Sequence, residues 1–170
     1  MLPLKLVASK GFEFSEYQLH GNTTKHKPGW TATDVGSSMD VRVDTRFSAP
    51  AKSSSTAPRF EVPRQRAGGV SKRDALPPGM SALVVGYLRS YEHMGQASLT
   101  CIKGCKCAPT VIDAHDPETV SVLELHEVAV TASSECVVRL AVTKDSSSPG
   151  KEHKFKLIQI AVRGSAASTS

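Results

Sequence analysis

The sequence predicts an all-β protein, an antiparallel β-sandwich of jelly-roll type interrupted by a disordered insertion. Three observations predict it. Met39, Val41 and Val43 alternate with Asp40, Arg42 and Asp44, the period-2 pattern of a strand with one buried face. The runs SALVVGYLRSYE, QASLTCI, TVSVLELHEVAV, ECVVRLAVTK and HKFKLIQIAVR are rich in β-branched or large apolar residues and are separated by Gly, Pro, Ser or Asp. Helical signals are weak: DPETVSVLELHEV is helical by propensity, but Thr119, Val120, Val122, Val128 and Val130 tilt it to strand.

Taken in order, GFEFSEYQLH and the region around Trp30 supply the first strands, and the turn residues Gly36, Ser37 and Ser38 introduce the strand at Met39. Residues 1–46 therefore open the sandwich. Residues 47–79 are rich in Pro, Ser, Ala and Gly and have no sustained period, so they bury too little apolar surface to offset the entropy of ordering them and read as the insertion. A weak edge strand from Arg59 to Val62 is the most that this stretch supports, because its prolines rule out a central strand. Residues 80–164 complete the sandwich, and 165–170 read as a disordered tail. About seven or eight strands result, joined by short turns.

Composition narrows the function. A chain of 170 residues is the size of one domain, and with aromatics at 5% the core must be built mainly from Val, Leu, Ile and Ala. Between Phe47 and Pro77, six basic residues against two acidic ones hold +4 of the net charge of +5. A basic run confined to the insertion is read as a solvated linker, and no nucleic-acid-binding motif accompanies it, so no specific nucleic-acid partner is expected. No run of 18 apolar residues occurs, and none is expected to span a membrane. The start, MLPLKLVASKGFEF, lacks the apolar stretch and cleavage site of a signal peptide. It leaves two expectations: a cytosolic protein, or a chain whose targeting segment lies upstream.

Cys101, Cys105, Cys107 and Cys136 form an even set, three of them within seven positions. Two disulfides fit that count. A Cys105–Cys107 bond closes too tight a ring, which gives Cys136 to Cys105 or Cys107 and leaves Cys101 to the other. Strand phase offers a different pairing, because Cys101 and Cys136 both fall on inward positions and could meet. Either way the bridge clips a loop of about 30 residues, a contribution of roughly 3 to 4 kcal/mol. A zinc site is the competing reading, but a single C-x3-C-x-C cluster must recruit Cys136 or His115 across the fold, so no metal or other cofactor is expected. Disulfides point to the secretory pathway or the cell exterior, and the acceptor pattern Asn22-Thr23-Thr24 for N-glycosylation points the same way.

Neither a G-x-S-x-G elbow nor a GDS block, a D-x-x-H pair, a P-loop or a GxGxxG occurs. Asp113, His115 and Asp116 read as turn formers. His126, among apolar neighbours, reads as a partly buried histidine. The most distinctive patch is VVGYLRSYEHMGQ, in which Tyr87, Arg89, Tyr91 and His93 share one strand face and Glu92 lies beside them. With Trp30, these residues form a candidate site for stacking a sugar ring and hydrogen-bonding its hydroxyls. Cross-strand packing is the other reading of the same row.

The run GYLRSYEHMGQASLTCIKGCKC, followed by IDAH, LELHEVAV, SSECVVRLAV and EHKFKLIQIAV, resembles the C-terminal β-rich region of uncharacterised plant and green-algal proteins related to SGNH/GDSL-type hydrolases. The similarity spans Leu83 to Val162, and KPGWTATDVGSSMDVRVDT is similar to the first strands of that region. In that family a separate hydrolase-like domain comes first, and none of its catalytic residues has a counterpart here. The resemblance implies a non-catalytic accessory module of the secretory pathway or cell surface that contacts glycans. The alternatives are a fragment or partner of an SGNH-type esterase or acyltransferase, and a cysteine-rich metal-binding domain.

Overall fold

A computed structural model describes residues 5–20, 23–46, 76–77 and 79–164. Among the described residues there are ten strands: β1 (Lys5–Lys10), β2 (Glu13–His20), β3 (Thr23–Ala32), β4 (Ser38–Val43), β5 (Met80–Ser90), β6 (Gln96–Lys103), β7 (Thr110–Asp113), β8 (Ser121–Thr131), β9 (Cys136–Val142) and β10 (Phe155–Gly164). They form two five-stranded sheets, ordered β1-β4-β9-β6-β7 and β2-β3-β10-β5-β8, and all of their ladders are antiparallel. Residues 47–75 and 78 of the insertion, with the strand anticipated at Arg59 to Val62, the sequon residue Asn22 and the tail 165–170, lie outside the described residues.

The winding follows from nested pairing. β6 pairs with β7, β5 with β8, β4 with β9 and β3 with β10. Such a nested set, folded over so that its arms divide between two sheets, is the jelly roll. β1 and β2 extend it by adding outside β4 and β3.

The sheets meet through their inward-facing rows. Met39 lies opposite Leu140, which lies opposite Leu99. In the other sheet Trp30, Leu157 and Tyr87 are in register. Met39, Val41, Leu99, Ile112, Val138, Leu83, Val85, Phe155 and Leu157 are each at most 1% exposed. With few aromatics available, these aliphatic rows make most of the core, and Tyr87 stacks on Phe155 at 5.7 Å between ring centroids.

The two strands that the sequence does not announce are β1 and β7. Every residue of β1 is exposed, so KLVASK carries no buried face to read. β7 has four residues, too few to display a period, and its Asp113 end reads as a turn.

At one end of the sandwich the chain is fastened by hydrogen bonds around Thr45, which is fully buried. Its hydroxyl donates to the Thr131 carbonyl at 2.9 Å and accepts from the Ser133 N–H at 2.8 Å. Its own carbonyl accepts from the Ser81 hydroxyl at 2.7 Å. The cysteines lie at this end too.

The bridges are Cys101–Cys107 and Cys105–Cys136. Pairing Cys136 with a member of the loop matches one of the two sequence readings, and a Cys101–Cys136 bond is corrected. Strand phase does turn Cys101 and Cys136 toward the same side, since Cys101 lies opposite Val138 and Cys136 opposite Val43. What phase does not show is the turn at Gly104, whose φ of 75° brings the loop back so that Cys105 and Cys107 lie over the strand ends.

Two measurements test this framework. Phe155→Ala, which empties a fully buried site against Tyr87, is expected to cost about 3 to 5 kcal/mol in urea unfolding. Replacing Cys105 and Cys136 together by Ser should cost about 3.5 kcal/mol, because that bridge spans 31 positions, whereas the same change at Cys101 and Cys107, 6 positions apart, should cost about 2 kcal/mol. Equal losses would contradict the entropic account of the staple.

Candidate functional site

β8 inverts the usual order of a half-buried strand along its length. Its second half buries Val128 and Val130. In its first half the inward positions opposite Tyr87 and Val85 are the polar Glu124 and His126. The apolar Leu123 and Leu125 turn outward instead, at 55% and 53% exposure. Because β8 is the outer strand of its sheet and β7 the outer strand of the other, the polar side chains lie at the mouth of the gap between the sheets.

Arg89, near the end of β5, organises this mouth. Its guanidinium lies 3.3 Å from the Asp116 carboxylate and 4.0 Å from that of Glu124, and its side chain is 39% exposed. The chain after β7 is held in place by backbone bonds between Ser90 and both Ala114 and Asp116, at 3.0 and 2.9 Å. Ser90 and Ser121 hydroxyls, 2.7 Å apart, tie the ends of β5 and β8 together.

Asp113 accepts from the Gln96 amide at 3.0 Å and from the His115 backbone N–H at 3.0 Å. Burial opposes its ionisation, but these bonds and one from Ser147 outweigh burial and hold its carboxyl below the usual carboxylate range. The His115 ring presents a buried Nδ1 with no hydrogen-bond partner among the described residues.

The anticipated row of Tyr87, Arg89, Tyr91 and His93 does not exist as one face. Tyr87 is 5% exposed and belongs to the core. Burial pushes its phenol pKa up, with the Glu124 charge adding to the effect and Arg89 opposing it. β5 ends at Ser90, and beyond it the chain bends, with His93 in the left-handed region at φ 60°. That costly backbone is fastened by the Lys154 N–H donating to the His93 carbonyl at 2.9 Å and by the His93 Nδ1 contact with Glu152 at 2.5 Å. Tyr91 and Glu92 project from the same bend into solvent.

Trp30 is also corrected as a free stacking surface. It is half-buried against the core and packs on Phe14, 5.5 Å between centroids. It lies toward the opposite side of its sheet from β8, with β10 and β5 between them. The structure thus brings Arg89, Tyr91, Glu92 and His93 to one end and leaves Tyr87 and Trp30 as packing. The residues the sequence reading passed over as turn formers, Asp113, His115 and Asp116, join them. In the sequence, only the alternation of Asp113 and His115 with Ile112 and Ala114 sets two of them apart from a plain turn, and it does not say what they face.

On the outer face of the same end, Pro28, Leu88, Leu123 and Ile158 border a groove of about 230 Å³. Lys156 reaches into it and donates to the Lys27 carbonyl at 2.6 Å. Burial, then Lys154 and Lys27, push its ammonium pKa down.

No family model, curated protein or solved structure matches the chain. Among the described residues no helix is long and apolar enough to cross a membrane.

The depressed carboxyls give the fold a predicted acid limit. Asp113 and Asp40, the latter held low by its two hydrogen bonds from Arg139 at 2.7 and 2.8 Å, bind protons more weakly folded than unfolded. Their stabilisation is therefore present above the unfolded carboxyl value of about 3.9 and is lost as pH falls through the lower folded value. Calorimetric melts should be level above about pH 5 and fall below about pH 4. Asp113→Asn should remove part of that slope. A slope unchanged by both Asp113→Asn and Asp40→Asn would refute the assignment.

Proposed function

We propose that the chain is a non-catalytic accessory sandwich module that recognises a glycan at the β5–β8 end. The observation that carries this reading is the half-exposed Arg89, braced by Asp116 and Glu124, with the exposed Tyr91 two residues further along the chain. A guanidinium and carboxylates held near one another offer donors and acceptors to sugar hydroxyls, and an aromatic ring supplies an apolar face for the pyranose. Glu92 and His93 extend the polar rim. Tyr87 supports the site from the core.

Two disulfides in the chain support an oxidising compartment, where glycans are abundant. The resemblance to the β-rich region of SGNH-related proteins belongs to the same proposal, with the module acting beside a hydrolase domain.

A glycan array probed with the purified chain tests the reading. Tyr91→Ala should weaken a bound glycan by about 1 to 3 kcal/mol and leave the melting temperature unchanged. Arg89→Ala should weaken it further, with loss of the rim ion pairs. An array without signal, or binding that survives both substitutions, would end the carbohydrate reading.

A further inference from the structure

We infer that the four cysteines also form a soft-metal site, occupied when the two bridges are reduced. The bridges do not lie apart: the sulfurs of Cys101, Cys105 and Cys136 all fall within 4.8 Å of one another, and Cys107 is joined to Cys101. Four thiolates around Zn²⁺ at about 2.3 Å are roughly 3.8 Å apart. Reduction releases Cys101 from Cys107 and Cys105 from Cys136 outward toward that spacing, while Cys101, within 4.8 Å of both Cys105 and Cys136, needs to approach them by at most about 1 Å. The donor set would be closed, four sulfurs with no open position, which is the pattern of a structural site.

Bonds other than the bridges also hold the sulfurs together. The Lys106 N–H donates to the Thr131 hydroxyl at 2.9 Å, and the Thr131 N–H donates to the Lys106 carbonyl at 3.0 Å. Gly104 takes a left-handed turn directly against the Glu135 carbonyl, where any side chain would collide. Cys101 and Cys136 lie on two paired strands. Loop and strands therefore keep the thiols adjacent after reduction. Cys136 is fully buried and the other three are half-buried, which limits competition from water. Lys103 and Lys106, exposed on the same loop, offset the two negative charges of a tetrathiolate zinc centre.

The chemistry balances with a dithiol reductant. Two dithiols give four electrons and four protons to the two S–S bonds and become two disulfides, leaving four cysteine thiols. One Zn²⁺ then displaces four protons and binds four thiolates. Two molecules of a small disulfide oxidant, taking up the four electrons and four protons to become two dithiols, reverse the step, restoring both bridges and releasing Zn²⁺.

Full-length protein, reduced and freed of metal under anaerobic conditions, is titrated with Co²⁺ and then Zn²⁺. One equivalent of Co²⁺ should produce thiolate-to-cobalt charge-transfer absorption with the intense visible bands of tetrahedral cobalt, and one equivalent of Zn²⁺ should bleach them. Oxidised protein should bind neither. Cys107→Ser should weaken Co²⁺ at least by the roughly tenfold that loss of an outer-shell partner brings. Substoichiometric uptake, octahedral cobalt spectra or unchanged affinity in Cys107→Ser would overturn the inference. If reduction unfolds the chain, Zn²⁺ should restore its β-sheet circular dichroism, and a chain that stays unfolded with Zn²⁺ would overturn it equally.

Discussion

The ladder between β5 and β8 is the constraint on which the rest depends. It runs unbroken from Met80↔Thr131 to Ser90↔Ser121, while the ladders β1–β4, β2–β3, β10–β5 and β6–β9 each contain a register shift. A one-residue slip would send Leu83, Val85 and Tyr87 to the solvent face and bring Ala82, Val84 and Gly86 inward. Because the ladder spans the sandwich, its two ends fix two separate pieces of chemistry. Thr131 anchors the cysteine loop at one end, and Arg89, Ser90, Ser121 and Glu124 build the ionic mouth at the other.

Those ends differ in how their side chains are held. The cysteine end is closed by covalent bonds and by a fully buried threonine with its hydrogen bonds satisfied. The ionic end is held by pairs that water reaches, so each contributes little to stability. Weak, partly hydrated pairs can exchange partners with an incoming polar ligand at small cost, whereas the bonded sulfurs change state only through redox chemistry.

How far the sequence could be read follows the same division. Period-2 runs such as Met39 to Val43 and the β-rich segments after Met80 announce their strands because each buries a face. Lys5–Lys10 has no buried face and Thr110–Asp113 is too short, so neither is visible in the sequence. At the site, Arg89, Tyr91, Glu92 and His93 were legible as a cluster of unusual side chains. The strand face assigned to them was not, because extending the alternation past Ser90 assumes a straight backbone where His93 takes a left-handed turn. His115 and Asp116 were hidden for another reason: their neighbourhood to Arg89 is made by strands distant in sequence. The disulfide partners depend likewise on one glycine turn that periodicity does not describe.

The knot of hydrogen bonds at Thr45 has a consequence for how this fold can vary. Thr45 and Ser81, 36 positions apart, are held together by the Ser81 hydroxyl donating to the Thr45 carbonyl. These two points are thus neighbours, fixed by described residues alone. The closure entropy of whatever joins them grows only as the logarithm of its length, about 0.6 kcal/mol for each doubling. Two points held this close set a low entropic toll on lengthening whatever joins them, so an insertion at this port weighs on the sandwich far less than the same length added between residues that nothing else holds together.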